Sequence, residues 1–242
     1  MACCSVVELR QYTVRPSARD TLVRLFDEHL IEGQEDHGIW VLGQFRDLGD
    51  PDRFVWIRGF GDIEERTRAL EGFYAGPVWK THRKAARATV ADSDDVLLLK
   101  PADEGTAFRL DPDDRPGQGE ANPPRGVIAA TMYYFEGPVS SGFTSWFRAV
   151  VVPILAAAGT SVLAQLVTEP APNLFPRLPV REGENVFVWF AAYPDAQSQA
   201  ASARRLEGLP RWRDGVAAAL RAKLLRAPEI LVLAPTARSL LR

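Results

Sequence analysis

The sequence predicts an α+β fold, two ferredoxin-like βαββαβ units packed sheet to sheet as a fused α+β barrel. Three observations carry that expectation. Phe54-Val55-Trp56 returns as Phe187-Val188-Trp189 and Trp79 returns as Trp212, each pair 133 positions apart. Each copy closes on an apolar run ended by proline, Val96-Leu97-Leu98-Leu99-Lys100-Pro101 and Ile230-Leu231-Val232-Leu233-Ala234-Pro235. Strand and helix periodicities also follow in the same order in both copies, so one unit of about a hundred residues is present twice.

In the first copy, residues 5–14 alternate, with Val7, Leu9 and Gln11 on one face and Glu8, Arg10 and Tyr12 on the other, which is a strand signal. Pro16-Ser17 opens a helix in which Leu22, Leu25, Phe26, His29 and Leu30 recur at three- and four-residue spacing up to Gly33. Residues 39–46 and 53–60 form a hairpin around the turn Gly49-Asp50-Pro51-Asp52. Asp62 caps a long helix to about Val90 with an interruption at Gly76-Pro77, and residues 96–100 close the unit.

The second copy repeats this order: strand 126–136, helix 140–158 kinked at Pro153, strands 161–168 and 185–193, helix 195–226 and strand 230–233. Pro170 to Gly183 is a longer, proline-rich version of the turn at Gly49. The chain therefore divides into a first unit (1–101), a linker (102–125) that Phe108 and Leu110 pin to the surface, and a second unit (126–242). Each unit leaves one sheet face partly apolar, and the sister sheet is the obvious cover.

The bulk properties narrow the function classes. Basic and acidic residues nearly balance, 29 against 31, with no basic stripe, which argues against a nucleic-acid partner. Cys3 and Cys4 are the only cysteines and stand together in a terminus expected to fray, so they make neither a disulfide framework nor a Cys-based zinc site. The opening strand begins too early to leave room for a signal peptide. The most apolar run, Trp146 to Gly159, contains Arg148 and Pro153 and is too short for a bilayer, so it reads as a core helix. A soluble, cytoplasmic protein is expected, with no membrane partner.

Val7-Glu8-Leu9-Arg10-Gln11-Tyr12-Thr13 followed by Pro16 resembles the opening strand of the NIPSNAP family, and Val55-Trp56, the Asp62 helix start and Pro77-Val78-Trp79 resemble its later signature. The likeness covers residues 5–101 and, more weakly, 126–235, where Thr131-Met132-Tyr133-Tyr134 replaces the Glu-Leu-Arg motif. The resemblance implies the dimeric α+β barrel superfamily, here fused into one chain. That superfamily includes cofactor-independent oxygenases, isomerases, haem-binding proteins and members without known catalysis, so function must be read from the site.

All three histidines lie in the first copy. His29 and His82 follow apolar residues on two helices covering one sheet face, and both are expected to point into one cleft with Tyr74 and Trp79. A titratable pair in an aromatic cleft suits proton abstraction near neutral pH. The second copy has Phe143, Trp146, Phe147, Val150 and Ile154, then Leu206, Trp212, Val216 and Leu220, at the matching positions. That cleft is expected to be filled by its own side chains or to take something purely apolar.

Glu8, Arg10, Tyr12, Trp56 and Arg58, with Met132, Tyr134 and Trp189, are placed between the two sheets, where Glu8 must pair with Arg10 or Arg58 to offset desolvation. The structural reading of these charges is an ion-pair network, and the functional one a polar ligand anchor. His37, beside Glu35 and Asp36, reads as a solvated loop residue rather than a metal ligand. No phosphate loop, nucleophile elbow or dinucleotide fingerprint is present, so no cofactor is expected, with haem through His82 or His29 kept as an option the resemblance allows.

Two functions follow. One is a cofactor-independent oxygenase, or an isomerase or cyclase, acting on an aromatic or polyketide-like substrate, as in natural-product biosynthesis. His29 or His82 is then the base, with the other histidine or Arg58 steadying the anion and Tyr12, Trp56, Tyr74 and Trp79 holding the ring. The other is a non-catalytic ligand-binding or protein-interaction module. Further pairing into a homodimer is compatible with both.

Overall fold

Alternation of apolar residues along eight strands, each with one face that must leave water, is resolved by closing all of them into a single barrel. The computed structural model describes residues 4–242. The first unit runs β1 (Val6–Val14), α1 (Arg19–Leu25), a π-helical turn (Phe26–Leu30), α2 (Ile31–Glu35), β2 (Trp40–Asp47), β3 (Arg53–Phe60), α3 (Ile63–Ala75), α4 (Pro77–Thr89) and β4 (Val90–Pro101). The second runs β5 (Val127–Phe135), α5 (Ser141–Trp146), a π-helical turn (Phe147–Val151), α6 (Val152–Ala157), β6 (Ser161–Thr168), β7 (Asn185–Tyr193), α7 (Ala196–Gly208), a π-helical turn (Trp212–Val216), α8 (Ala217–Arg221) and β8 (Glu229–Pro235).

The strand order is β1-β3-β2-β8-β5-β7-β6-β4, closing back on β1. Each unit contributes a four-stranded antiparallel sheet, and two short seams join them. Phe45, Arg46 and Asp47 pair with Pro235, Ala234 and Leu233, while Leu99, Lys100 and Pro101 pair with Thr168, Val167 and Leu166. Closure removes the sheet edges that would otherwise template aggregation. The expected fused barrel is the observed fold.

The interior is a packed apolar core. Val7 and Leu9 of β1 point into it with Val55, Ile57, Met132, Phe190 and Leu233. The alternate residues of β1, Val6, Tyr12 and Val14, face the helices with Phe54 and Trp56. The register therefore corrects the expectation that Glu8, Arg10, Tyr12, Trp56 and Arg58 lie between the sheets. These residues sit on the helix side, where α2 and α3 supply polar partners that an aliphatic barrel interior lacks. In the sister sheet Met132 and Tyr134 do enter the interior, whereas Trp189 faces the helices.

Local signals explain the helices. Asp62 accepts from Glu65 N, and Asp195 from Ser198 N, at matching helix starts. Gly76-Pro77 splits the first long helix because proline removes an amide donor, and Pro210 falls at the matching break after Gly208. The kink expected at Pro153 takes the form of the π-helical turn at Phe147–Val151. The first unit makes the same turn at Phe26–Leu30 without any proline, so the turn belongs to the repeated fold.

Three segments depart from expectation. Cys4 does not fray: it is buried against Gly59, where a Cβ would come within 2.1 Å of its Sγ. Cys3 lies outside the described residues. The linker does more than rest on the surface, since Phe108 enters the barrel core and packs on Phe190 with ring centroids 5.0 Å apart. The C-terminal segment after β8 runs beside β2, with Thr236 N donating to Gln44 O (2.8 Å) and Leu241 N to Leu42 O (2.7 Å). Arg238 is buried there, paired with Glu32 and donating to Asp27 O and Pro116 O. Linker and tail meet through Arg115 and Arg238, and Phe108 and Leu241 both join the barrel core.

Asp27 lies under this tail, and burial pushes its carboxyl up to about 6 against the hydrogen bond from Thr236 and the charge of Arg238. An acid whose folded-state pKa is raised holds its proton longer folded than unfolded, so its contribution to stability falls as pH rises through this window. Asp27→Asn is expected to stabilise increasingly over wild type from about pH 4 to pH 6, reaching about 1 kcal/mol after allowance for solvent screening. Urea unfolding at stepped pH measures this, and a pH-independent difference would contradict it.

Candidate functional site

β1 and β3 pair so that Glu8 stands opposite Arg58 and Arg10 opposite Trp56. All four side chains rise toward the helices. Glu8 receives a hydrogen bond from Arg10 Nη1 (2.6 Å), Arg58 Nε (2.7 Å) and, from α3, Arg66 Nε (2.6 Å). All four charged residues are 0% exposed. Burial pushes the Glu8 carboxyl up, but the guanidiniums of Arg58, Arg10 and Arg66 outweigh it and hold the group well below the usual carboxylate range.

The network continues to its neighbours. Arg58 Nη1 donates to Gln34 Oε1 (3.1 Å), and Arg66 Nη1 to Asn173 Oδ1 (3.0 Å). Arg10 Nε donates to the Tyr12 hydroxyl (3.2 Å). Arg58 lies 4.9 Å from the centre of the Trp56 ring, a cation–π distance. One carboxylate thus meets three guanidiniums, leaving a buried surplus of positive charge.

Above this cluster opens a cavity of about 390 Å³, within the usual size range for small-molecule sites. Tyr12, Trp56, Phe73, Tyr74, Trp79 and Phe175 line it, with Leu22, Phe26, Leu30 and Gln34 along the first helix. Tyr74 and Trp79 meet edge to face at 5.0 Å, and Tyr74 stacks on Phe175 at 5.9 Å. Burial pushes the Tyr74 phenol up against the pull of Arg58 and Arg10.

Phe175, Arg177 and Leu178 come from the loop between β6 and β7, which belongs to the second unit. That loop is fastened by Asn173 to Arg66 and by Arg181 N to Val96 O. The longer turn read from the sequence is therefore a cover supplied by one unit to the other's cavity. Its signal was apolar Leu174, Phe175 and Leu178 inside a proline-rich loop.

Of the residues singled out in the sequence, Tyr12, Trp56, Tyr74 and Trp79 are brought together on this wall, with Arg58 beneath through Gln34. His29 and His82 are not. Their rings stack on each other at 3.9 Å where the first helix meets α4, and the His29 side chain keeps 39% exposure. The cause is the π-helical turn: Leu22, Phe26, Leu30 and Gln34 face the cavity four residues apart, and His29 is rotated off that line. Partial burial and the neighbouring His29 both lower the His82 pKa. Neither imidazole is among the residues that line the cavity.

Beside His37, Glu35 is bridged to Arg115 at 2.6 Å. Among the described residues no group of three or more His, Cys, Asp or Glu side chains is arranged to hold a metal ion, and no helix is long and apolar enough to cross a membrane.

The second unit has a smaller cavity at the matching place, about 270 Å³, lined by Tyr133, Leu155, Trp189, Tyr193, Trp212 and Leu220. Burial pushes the Tyr133 phenol up to about 12. Here Ala129 stands opposite Ala191, and Thr131 opposite Trp189. The tryptophan and the tyrosine are kept, but Glu8, Arg10 and Arg58 are answered by alanine, threonine and alanine. The same fold therefore forms without the charges.

Glu8→Gln would remove the one anion beneath three buried guanidiniums and is expected to cost about 3–5 kcal/mol. Because the folded-state pKa of Glu8 is depressed, its contribution is fully present above the ordinary carboxylate range and is lost as pH falls through it. The stability gap between wild type and E8Q, measured by chemical unfolding, should narrow on acidification. A gap unchanged down to strongly acidic pH would count against the network as drawn.

Comparison with known proteins bears on the fold. Residues 7–103 match the NIPSNAP family model. A monooxygenase candidate from Lactobacillus acidophilus is 11% identical, with 95% of this chain and 93% of that chain covered and a TM-score of 0.53. An anthrone oxidase-like protein is 13% identical over 96% of this chain and 91% of its own, with a TM-score of 0.51. A NIPSNAP family protein of unknown function from Agrobacterium tumefaciens is 20% identical over 45% of this chain and 97% of its own, with a TM-score of 0.40. No curated protein matches the chain. Residues 7–103 thus match the NIPSNAP family model and form one half of a single-chain α+β barrel.

Proposed function

We propose that the first unit binds a small aromatic or polyketide-like molecule in its covered cavity and directs it to react with dioxygen without a bound cofactor. One observation carries this reading: an aromatic cavity over a buried positive surplus, in the copy where the sister unit has only alanine and threonine. The second unit forms the same sheet without these charges, which favours a role for them at a site over one the fold requires.

The chemistry follows from what the wall offers. A ring-activated methylene loses its proton to water, and the nearby guanidiniums stabilise the resulting enolate. The enolate carbon forms a bond to dioxygen, giving a peroxide that loses water. The methylene becomes a carbonyl, with one oxygen atom in the product and the other in water. Tyr12, Trp56 and Trp79 would hold the ring, and Phe175 would keep bulk water away from the intermediate. Dioxygen chemistry is the reaction to test first because proteins described as a monooxygenase candidate and as anthrone oxidase-like share this fold.

A binding-only module is the second reading. It is favoured by the state of Glu8, whose carboxylate is committed to three arginines and is unfit to act as a base.

Oxygen uptake with anthrone as substrate separates the two. Turnover above the buffer rate is expected. Trp79→Ala and Phe175→Ala should each reduce it about tenfold or more through lost positioning. His29→Ala and His82→Ala should leave it intact. Uptake no faster than in buffer would favour the binding module, and loss on replacing a histidine would return the base to that pair.

A further inference from the structure

We infer that the floor of the first-unit cavity is an oxyanion site, shaped to take a planar aromatic ligand in its ring-ionised form, a phenolate or enolate. The inference rests on the reading of this cavity as an aromatic-ligand site and adds the charge state of what enters it.

Hydrogen-bond direction supplies the first support. An arginine can only donate, so the contact of 3.2 Å from Arg10 Nε makes the Tyr12 hydroxyl an acceptor. Its own proton is then left to point elsewhere, and Tyr12 lines the cavity. Arg10 cannot turn away, because its Nη1 is bonded to Glu8 at 2.6 Å. The second support is Trp56, which is 2% exposed, lines the same wall and has an indole N–H with no hydrogen-bond partner. A buried donor left without an acceptor is destabilising, and a ligand oxygen would remove that penalty.

Charge supplies the third. Arg10, Arg58 and Arg66 face one carboxylate, and each keeps a buried Nη2 without a partner. Arg83, Arg87 and Arg177 add positive charge among the lining residues, and no carboxylate is among them. The field inside is therefore positive from floor to wall, which favours the ionised ligand over its neutral acid. Gln34 is spent within the protein, since its amide oxygen accepts from Arg58 and its nitrogen donates to Leu30 O (2.9 Å). Tyr12 and Trp56 therefore offer donors beside the buried arginines, in addition to those of Tyr74, Trp79, Arg83, Arg87 and Arg177 in the same lining.

The probe is 4-nitrophenol, whose phenolate absorbs at longer wavelength than its neutral form, with 4-nitroanisole as an un-ionisable control of like shape. On the wild-type full chain the bound nitrophenol is expected to ionise about one pH unit below the free probe, a tenfold preference for phenolate. Tyr12→Phe keeps the ring and the Glu8 network and removes only the hydroxyl. It should abolish most of that preference while leaving nitroanisole affinity unchanged. A bound probe that ionises at higher pH than the free one, or a preference that survives in Y12F, would overturn the oxyanion site. If nitroanisole and neutral nitrophenol bind but the phenolate does not, the oxyanion site falls and the aromatic cavity stands. If none of them binds, both fall.

Discussion

The carboxylate of Glu8 is the contact on which the first unit is organised. It ties β1 to β3 through Arg58 and draws α3 onto the sheet through Arg66. Arg66 in turn reaches Asn173, so the loop of the second unit is placed by the same anion. Through Arg10 it fixes the Tyr12 hydroxyl. Helix position, cavity cover and cavity floor thus share one buried hub, in which every hydrogen bond to the carboxylate is charge-assisted. A hub of this kind constrains geometry as well as energy, since three guanidiniums can converge on two oxygens in few ways.

The duplication separates what the fold requires from what the site requires. Both copies keep the strand order, the capping aspartate, the π-helical turn in the first helix, the proline break in the second and a tryptophan on the third strand. They differ in the charges over the sheet and in the length of the hairpin loop. Only the second unit has the long loop, and it covers only the first unit's cavity. Residues 49–52 form a short turn, and none of them lines the second unit's cavity. A two-fold scaffold has in this way been given a single equipped cleft.

Much of this was legible in the sequence and some was not, for identifiable reasons. Constant spacing of Trp56 with Trp189, and of Trp79 with Trp212, was enough for the architecture because helix and strand periods must recur if the unit recurs. Four cavity aromatics, Tyr12, Trp56, Tyr74 and Trp79, could be named because large apolar side chains on a shared face have one place to go. The face of β1 was misassigned because alternation says which residues share a side but not which side is inward. His29 was misplaced because a π-helical turn shifts the phase of a helix by one residue without a sequence mark such as glycine or proline. The cover over the cavity was missed because a contact between repeats leaves no trace in the period of either.

The buried charges have a cost that the two copies allow one to weigh. Replacing a buried ion network by apolar residues of fitting size is often neutral or stabilising. The second unit carries such a replacement, with Ala129 and Ala191 packed where Glu8 and Arg58 stand in the first. If stability alone decided, the first unit would have no reason to keep three guanidiniums on one carboxylate. Their retention beside an aromatic cavity, while the matching cavity of the second unit lacks them, is what a role at a site would produce. The positive surplus is too large for Glu8 to neutralise, and the remaining place for a balancing negative charge is the cavity itself.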